Sequence, residues 1–238
     1  MDESPHVRSI VDRILTTHVG SLLRPAELVE PLRHAERGEA YDDGTFSAAL
    51  SHAVDEIVQR QAEIGIDVVD DGEMGKVGWI AYFYDRIGGV SPKVVPRGDK
   101  LLPSSLDPDA NAGIANLYVD YRTWGDNADY GVTWVCDGPI SYDPTTLERD
   151  IANLRAALEE VHVVDAFIPA VAPGSVYWLR NEHYPTDEVF LYAFADALHE
   201  EYTRIVNAGF LVSVDDAVLW HKYATIRPTD GSPQPCPR

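Results

Sequence analysis

The stretch IGIDVVDDGE, Ile64 to Glu73, and the stretch AGFLVSVDDA, Ala208 to Ala217, share one plan: a glycine, a short apolar run and two acids. Each follows a segment whose apolar residues recur at helical spacing, which predicts a helix, a glycine stop and a buried strand. Apolar strands that follow helices directly favour a parallel sheet with helical crossovers. The repeated plan therefore predicts an α/β fold.

Three such helix-then-strand units are predicted. The helix before the first stretch has its apolar positions at Phe46, Leu50, Val54, Ile57, Val58 and Ile64. The helix before the second has them at Phe190, Phe194, Ala197, Leu198, Ile205 and Val206, with Thr186 as its N-cap. A third helix starts near Asp143, a predicted N-cap, and leads into DAFIPAVAPGS, a strand that ends in a proline and glycine loop. Strands at 15–18 and 132–136 bring the predicted number to about five.

The segment 91–131 interrupts this alternation. It is rich in proline, glycine, aspartate and asparagine, and it is longer than an ordinary connection. We expect an insertion that covers or lines a site, or that carries small helices. Because the patterns on both sides are alike, residues 1–238 are predicted to form a single domain, with an irregular, proline-rich tail at 224–238.

Composition excludes several classes of function. The chain has 39 acidic and 19 basic residues and a formal charge of −20, so nucleic acid and anionic membrane surfaces are unsuitable partners. Its two cysteines, Cys136 and Cys236, cannot form a disulfide framework. No signal peptide and no apolar run of about 20 residues is present. We therefore predict a cytoplasmic protein.

Candidate site residues follow the predicted strands, because ligands of parallel α/β folds lie at the carboxyl ends of the strands. They are His18, Ser21, Asp70, Asp71, Glu73, Cys136, Asp137, Asp215 and Asp216. Structural roles compete: the acids at 70 and 71 can cap a turn, His18 can be a hydrogen-bonded structural histidine, and Cys136 can be a small buried apolar residue.

The aromatic segment 79–87, WIAYFYDRI, favours a helix packing face over a substrate wall. No nucleotide-binding loop, nucleophile elbow, HExxH or CxxC motif is present. The residues alone leave a metal-assisted hydrolase, a lyase and a transferase open.

Five ordered blocks carry a resemblance: TTHVGSLLRP, GIDVVDDGEMGK, GPISY, APGSVYWLRNEHYP and EEYTRIVNAGFLVSVDDAVL. Together, from about residue 14 to residue 223, they resemble the cobalamin-independent methionine synthase superfamily. The likeness is to its shorter, single-barrel members, which include the epoxyalkane:coenzyme M transferases. The resemblance implies a TIM (β/α)8 barrel, of which only about the first five β/α units are apparent here.

The resemblance also implies a chemistry and a set of site residues. In the family, zinc activates a thiol that attacks an alkyl donor, and in the synthases methyltetrahydrofolate methylates homocysteine without cobalamin. The implied thiol-substrate residues are Ser21, Glu73 and Asp215, with His18 in support. The implied methyl-donor residues are Asp137, Tyr142, Trp178 and Asn181. The expected partners are thus a small-molecule thiol and an alkyl donor.

The sequence departs from the family at the metal. The family's zinc ligands are a His-x-Cys pair, a later glutamate and a distant cysteine, and no His-x-Cys occurs in this chain. We therefore assign no metal ligand and expect a C-terminally incomplete enzyme with impaired chemistry, which self-associates or needs a complementing chain. Two alternatives remain open: an epoxyalkane:coenzyme M transferase-like enzyme, and a non-catalytic binding or scaffold homologue.

Overall fold

A computed structural model of the chain describes residues 13–37, 40–76, 78, 81–96 and 130–216. The helices are α1 (Ala26–Arg37), α2 (Asp43–Glu63), α3 (Ala81–Tyr84), α4 (Thr145–Ala157) and α5 (Asp187–Asn207). The strands are β1 (Val68–Val69), β2 (Ile87–Pro96), β3 (Tyr130–Tyr142), β4 (Asp165–Val171), β5 (Arg180–Asn181) and β6 (Leu211–Asp215). Short 3-10 helices occupy Leu158–Glu160 and Pro173–Trp178.

The strands form two three-stranded sheets, which makes the fold mixed α/β. One sheet has the order β1-β4-β6, and β1 pairs with β4 in parallel, with Val68 opposite Asp165. The other has the order β2-β3-β5, with β2 and β3 antiparallel and β3 and β5 parallel. The parallel plan predicted from the helix-then-strand units is therefore seen in the first sheet.

Two strand predictions need correction. The strand predicted at 132–136 is part of β3, which pairs antiparallel with β2 instead of joining the parallel sheet. The segment 15–18 is not a strand, although the Thr16 carbonyl accepts hydrogen bonds from the backbone N–H groups of Asp67 and Val68. The predicted insertion at 91–131 begins in β2 and ends in β3, and its middle lies outside the described residues, as does the tail at 224–238.

The chain divides into two compact units. The first comprises residues 1–77, 149–168 and 209–211, and the second comprises residues 78–148, 169–208 and 212–238. The single domain expected over 1–238 stays a prediction.

Helix α2 supplies much of the core of the first unit. Asp42 caps it by accepting hydrogen bonds from the Gly44 and Thr45 N–H groups. Its predicted apolar positions Phe46, Leu50, Val54 and Val58 are buried. Ile64, the last apolar position of the predicted helix, is 72% exposed, because it follows the last helical residue and Gly65 turns the chain with φ +86°.

Helix α5 packs on β3 in the second unit. Thr186 caps it through the Val189 N–H, as predicted, and five of its six predicted apolar positions are buried, the exception being Val206, 58% exposed. The core also contains Tyr82, Phe83 and Ile87, so these residues of the aromatic segment pack inward. Among the described residues, no helix is both long enough and apolar enough to span a membrane.

Candidate functional site

The loop after β1 is a tight turn held by its own acids. Gly72 and Glu73 both have left-handed backbones, with φ +65° and +55°. The Gly72 N–H donates to Asp70 Oδ1, and the Glu73 N–H donates to Asp71 Oδ1, both at 2.9 Å. A left-handed glutamate costs about 1–2 kcal/mol, so the surrounding contacts must hold it there. Asp70 and Asp71 therefore both cap the turn, which is the structural role that competed with a functional one.

Two predicted site residues of the first unit, Ser21 and Glu73, are in direct contact. The Ser21 hydroxyl donates a hydrogen bond to Oε2 of Glu73, although the two residues lie 52 positions apart. The Leu22 N–H donates to the Gly72 carbonyl at 3.0 Å, which fixes the two loops side by side. Glu73 is 5% exposed and Ser21 is exposed. An exposed hydroxyl group is thus hydrogen-bonded to a buried carboxylate.

His18 lies beside the same loop in a supporting position. Its Nε2 is 3.0 Å from Asp70 Oδ1 and 3.0 Å from Gln61 Oε1. One ring nitrogen thus contacts both Asp70 and Gln61, which holds His18 beside the acidic loop. Gln61 was missed by sequence reasoning, although it falls on the buried stripe of α2 three residues after Val58, where a polar side chain signals a buried hydrogen-bond role.

Several buried carboxyl groups lie close together behind this loop. Burial and the neighbouring charge of Asp71 raise the pKa of Asp70 to about 7, although His18 opposes the shift. Burial likewise raises the pKa of Asp71, with Lys76 acting against it and Asp150 adding to it. Asp71, Lys76 and Asp150 are all buried. An acidic surrounding of this kind favours a bound cation over a bound anion.

Asp215, the third predicted thiol-substrate residue, ends β6 in the second unit. Its carbonyl accepts a hydrogen bond from the Ala172 N–H at 2.9 Å, at the end of β4. The residue after Asp215, Asp216, lies beside Gly174: a Cβ built there would be 3.5 Å from Asp216 Oδ1, an ordinary van der Waals distance. A shared site for Asp215 with Ser21 and Glu73 stays a prediction.

The predicted methyl-donor residues all belong to the second unit. Asp137 on β3 accepts a hydrogen bond from Ser91 Oγ at 2.5 Å, and Asn181 on β5 lies opposite Cys136. Asn181 also accepts from the Tyr184 N–H and donates to its carbonyl, which gives it a turn-forming role. Trp178 ends a 3-10 helix, and its side chain lies outside the described part of the chain.

Tyr142, the remaining methyl-donor candidate, lies at the far end of β3, near a buried ion pair. Arg86 Nη1 is 3.1 Å from Glu201 Oε1, and both side chains are nearly inaccessible. Burial, and then the charge of Glu201, raises the pKa of Tyr142 well above its ordinary value. Sequence reasoning missed Glu201, which occupies the buried stripe of α5 between Ala197 and Ile205.

Metal ligands were not predicted in this chain. Cys136 is buried, its Sγ donates to the Gly138 carbonyl at 3.4 Å, and burial raises its pKa. Within the described ranges, no group of three or more His, Cys, Asp or Glu side chains could hold a metal ion. The described residues therefore do not fit the zinc site that the resemblance implies.

Comparison with solved structures defines the class of fold. The B12-independent methionine synthase from Shewanella sp. W3-18-1, solved in complex with selenomethionine, superimposes with a TM-score of 0.59 at 20% identity. The match covers 89% of this chain and 56% of that one. The mixed α/β fold described above is thus the fold found in part of a methionine synthase.

Comparison with curated sequences finds relatives that are named methionine synthase. The chain is 24% identical over 206 residues to a methionine synthase of Sulfolobus acidocaldarius and 23% identical over 206 residues to one of Pyrococcus horikoshii. Each match covers 86% of this chain and 52% of the relative, so the chain spans about half the length of these relatives. No family model matches. The resemblance to the cobalamin-independent methionine synthase superfamily is confirmed.

Proposed function

We propose that this chain carries the thiol-substrate site of a methionine-synthase-like S-methyltransferase. In the proposed reaction, a methyl group passes from methyltetrahydrofolate to the sulfur of homocysteine. The S–CH3 bond forms as the N–CH3 bond of the donor breaks, and the thiol proton is transferred to the folate nitrogen. Residues of this chain would bind and orient the amino-acid thiol.

The contact between Ser21 and Glu73 is the observation that carries this proposal. A carboxylate that is 5% exposed and reached through a surface hydroxyl suits a ligand with an ammonium group, because charge-assisted hydrogen bonds strengthen away from water. The acidic surroundings of the loop favour the same charge. The selenomethionine in the Shewanella structure supports an amino-acid ligand of this type. Assignment of Asp215 to the same ligand rests on the resemblance.

The proposed enzyme includes protein residues in addition to those that the structure describes. We take the chain to supply about the first five units of a (β/α)8 barrel in one domain, while the zinc that the resemblance implies is held by residues other than those described. The curated relatives are about twice as long as the matched region. Because a five-unit part of a barrel would leave an apolar sheet edge uncovered, we also propose self-association or a complementing chain. The proposed compartment is the cytoplasm.

A series of related thiols tests the proposal by calorimetry. L-homocysteine should bind, whereas 4-mercaptobutanoate, which is the same molecule without its amino group, should bind at least about tenfold more weakly, because it cannot pair with Glu73. Coenzyme M, which has a sulfonate and no ammonium, should also bind weakly. Equal binding of homocysteine and its deamino analogue would contradict the proposal, and preference for coenzyme M would favour the epoxyalkane:coenzyme M transferase-like alternative.

A non-catalytic binding homologue is the second candidate. The observation that favours it is the missing group of metal-binding side chains among the described residues. Binding of homocysteine without methionine formation, in the presence of zinc and methyltetrahydrofolate, would support this candidate. Methionine formed by the chain alone would exclude it.

A further inference from the structure

Arg24 joins the loop of Ser21 to the loop of Glu73. Its Nη2 donates hydrogen bonds to the carbonyl of Glu73 at 2.9 Å and to the carbonyl of Lys76 at 2.7 Å. The same nitrogen lies 3.3 Å from Ser21 Oγ. One guanidinium group therefore contacts both ends of the turn 73–76 and the hydroxyl that meets the Glu73 carboxylate.

The turn needs such a contact because its backbone is strained. Glu73 has φ +55°, a conformation that side-chain-bearing residues rarely adopt. Its carbonyl accepts from the Lys76 N–H at 3.1 Å in addition to Arg24. If this carbonyl rotated away, both hydrogen bonds would be lost, so the guanidinium opposes relaxation of Glu73 to an ordinary backbone conformation.

We infer that Arg24 is a positioning residue, which holds the Glu73 carboxylate against Ser21 for the thiol substrate. The ligand in this inference rests on the proposed function, but the effect of Arg24 on the loop does not. Nη2 of Arg24 is directed at two backbone carbonyls of the turn, so the inferred effect of Arg24 on the ligand passes through Glu73.

Hydrogen exchange without ligand tests the effect on the loop. In Arg24→Met, the Lys76 N–H should exchange about tenfold faster or more, because its acceptor is no longer fixed. The N–H groups of Asp67 and Val68, which donate to Thr16, should keep their rates. An unchanged Lys76 rate, or equal acceleration at all three, would overturn the inference.

Two further variants make this test robust. Arg24→Lys keeps the charge without the planar fork, so it should show a smaller acceleration at Lys76 and remains informative if Arg24→Met does not fold. Arg33→Met is the matched control, because Arg33 is an exposed arginine that pairs with Glu30 on α1. It should leave the Lys76 rate unchanged.

A double-mutant cycle on L-methionine affinity tests the positioning role. Arg24→Met should weaken binding about tenfold in the wild-type background and less than about twofold in the Glu73→Gln background, since its effect passes through Glu73. Equal losses in both backgrounds would mean that Arg24 contacts the ligand itself, which overturns the inference. If the wild-type chain binds no methionine, the proposed function fails while the exchange measurement still decides whether Arg24 holds the loop.

Discussion

The side-chain amide of Gln61 forms hydrogen bonds with both backbone groups of Asp70. Its Nε2 donates to the Asp70 carbonyl at 2.8 Å, and its Oε1 accepts from the Asp70 N–H at 3.1 Å. Gln61 thereby takes the place of a neighbouring strand at the point where β1 ends, and it also contacts His18. This side chain thereby joins helix α2 to the acidic loop.

Replacing Gln61 by leucine should therefore destabilise the protein strongly. The change leaves a buried N–H and a buried carbonyl without partners, and we expect the free energy of unfolding to fall by about 2–4 kcal/mol. Urea denaturation measures this. The matched control Gln59→Leu, at an exposed position of the same helix, should change the free energy by less than about 0.5 kcal/mol. Similar values for the two variants would contradict the role of Gln61.

The raised pKa of Asp70 predicts a pH dependence of stability. Because the folded-state pKa is about 7 and the ordinary value is 3.8, the native state holds this proton where the unfolded chain has lost it. The contribution of this group to stability is thus complete below about pH 4 and is lost as the pH rises through 7.

Asp70→Asn removes this titration, while its amide oxygen can still accept from the Gly72 N–H. The stability of the variant relative to the wild type should rise by up to about 4 kcal/mol between pH 4 and pH 8. Denaturation curves at a series of pH values would show it. A difference that stays constant over this range would contradict the burial of an ionisable Asp70.

The pair of Arg86 and Glu201 should be essential to the second unit. Glu201→Ala leaves a buried guanidinium without its carboxylate, which we expect to cost about 3–5 kcal/mol. Glu200→Ala is the matched control, because Glu200 precedes Glu201 on α5 and pairs with Arg204 at the surface. That change should cost less than about 1 kcal/mol. If chemical denaturation gave the same loss in free energy of unfolding for Glu201→Ala and Glu200→Ala, the buried pair would not be essential.

Gly89 should not tolerate a side chain. It has φ +82° at the irregular point of the β2–β3 pairing, and a Cβ there would lie 2.3 Å from the Pro139 carbonyl oxygen. We expect Gly89→Ala to destabilise by about 2 kcal/mol or more, since both the conformation and the contact are unfavourable. Gly44→Ala, in the first turn of α2, should be neutral or slightly stabilising. A neutral Gly89→Ala would contradict the described register.

The sequence predicted the elements that local chemistry determines. The stripe of α5 and its Thr186 cap follow from helical spacing and capping preference, and the glycines at 65 and 209 do end helices. The antiparallel pairing of β2 with β3 could not be predicted, because their partner choice depends on contacts between segments far apart in sequence. An apolar run such as 132–136 has the same composition in either kind of sheet.

The candidate site was predictable in part for the same reason. Ser21 and Glu73 were predicted from their places after strands, and the resemblance added their substrate role; the structure shows the two in contact. The residues that support them were missed: Arg24 and Gln61 act on backbone groups that come close only in the folded chain. A polar residue on a buried helical stripe, as at Gln61 and Glu201, is the signal that could have found two of these supports.

Calorimetric titration with L-methionine tests the central claim most directly, because methionine contains the ammonium group and cannot react as a thiol. The wild-type chain should bind it, and Glu73→Gln should weaken binding at least about tenfold. The matched control Glu63→Gln, at an exposed position of α2, should bind as the wild type does. Equal affinity of the wild type and Glu73→Gln, or no binding to the wild type, would contradict the account.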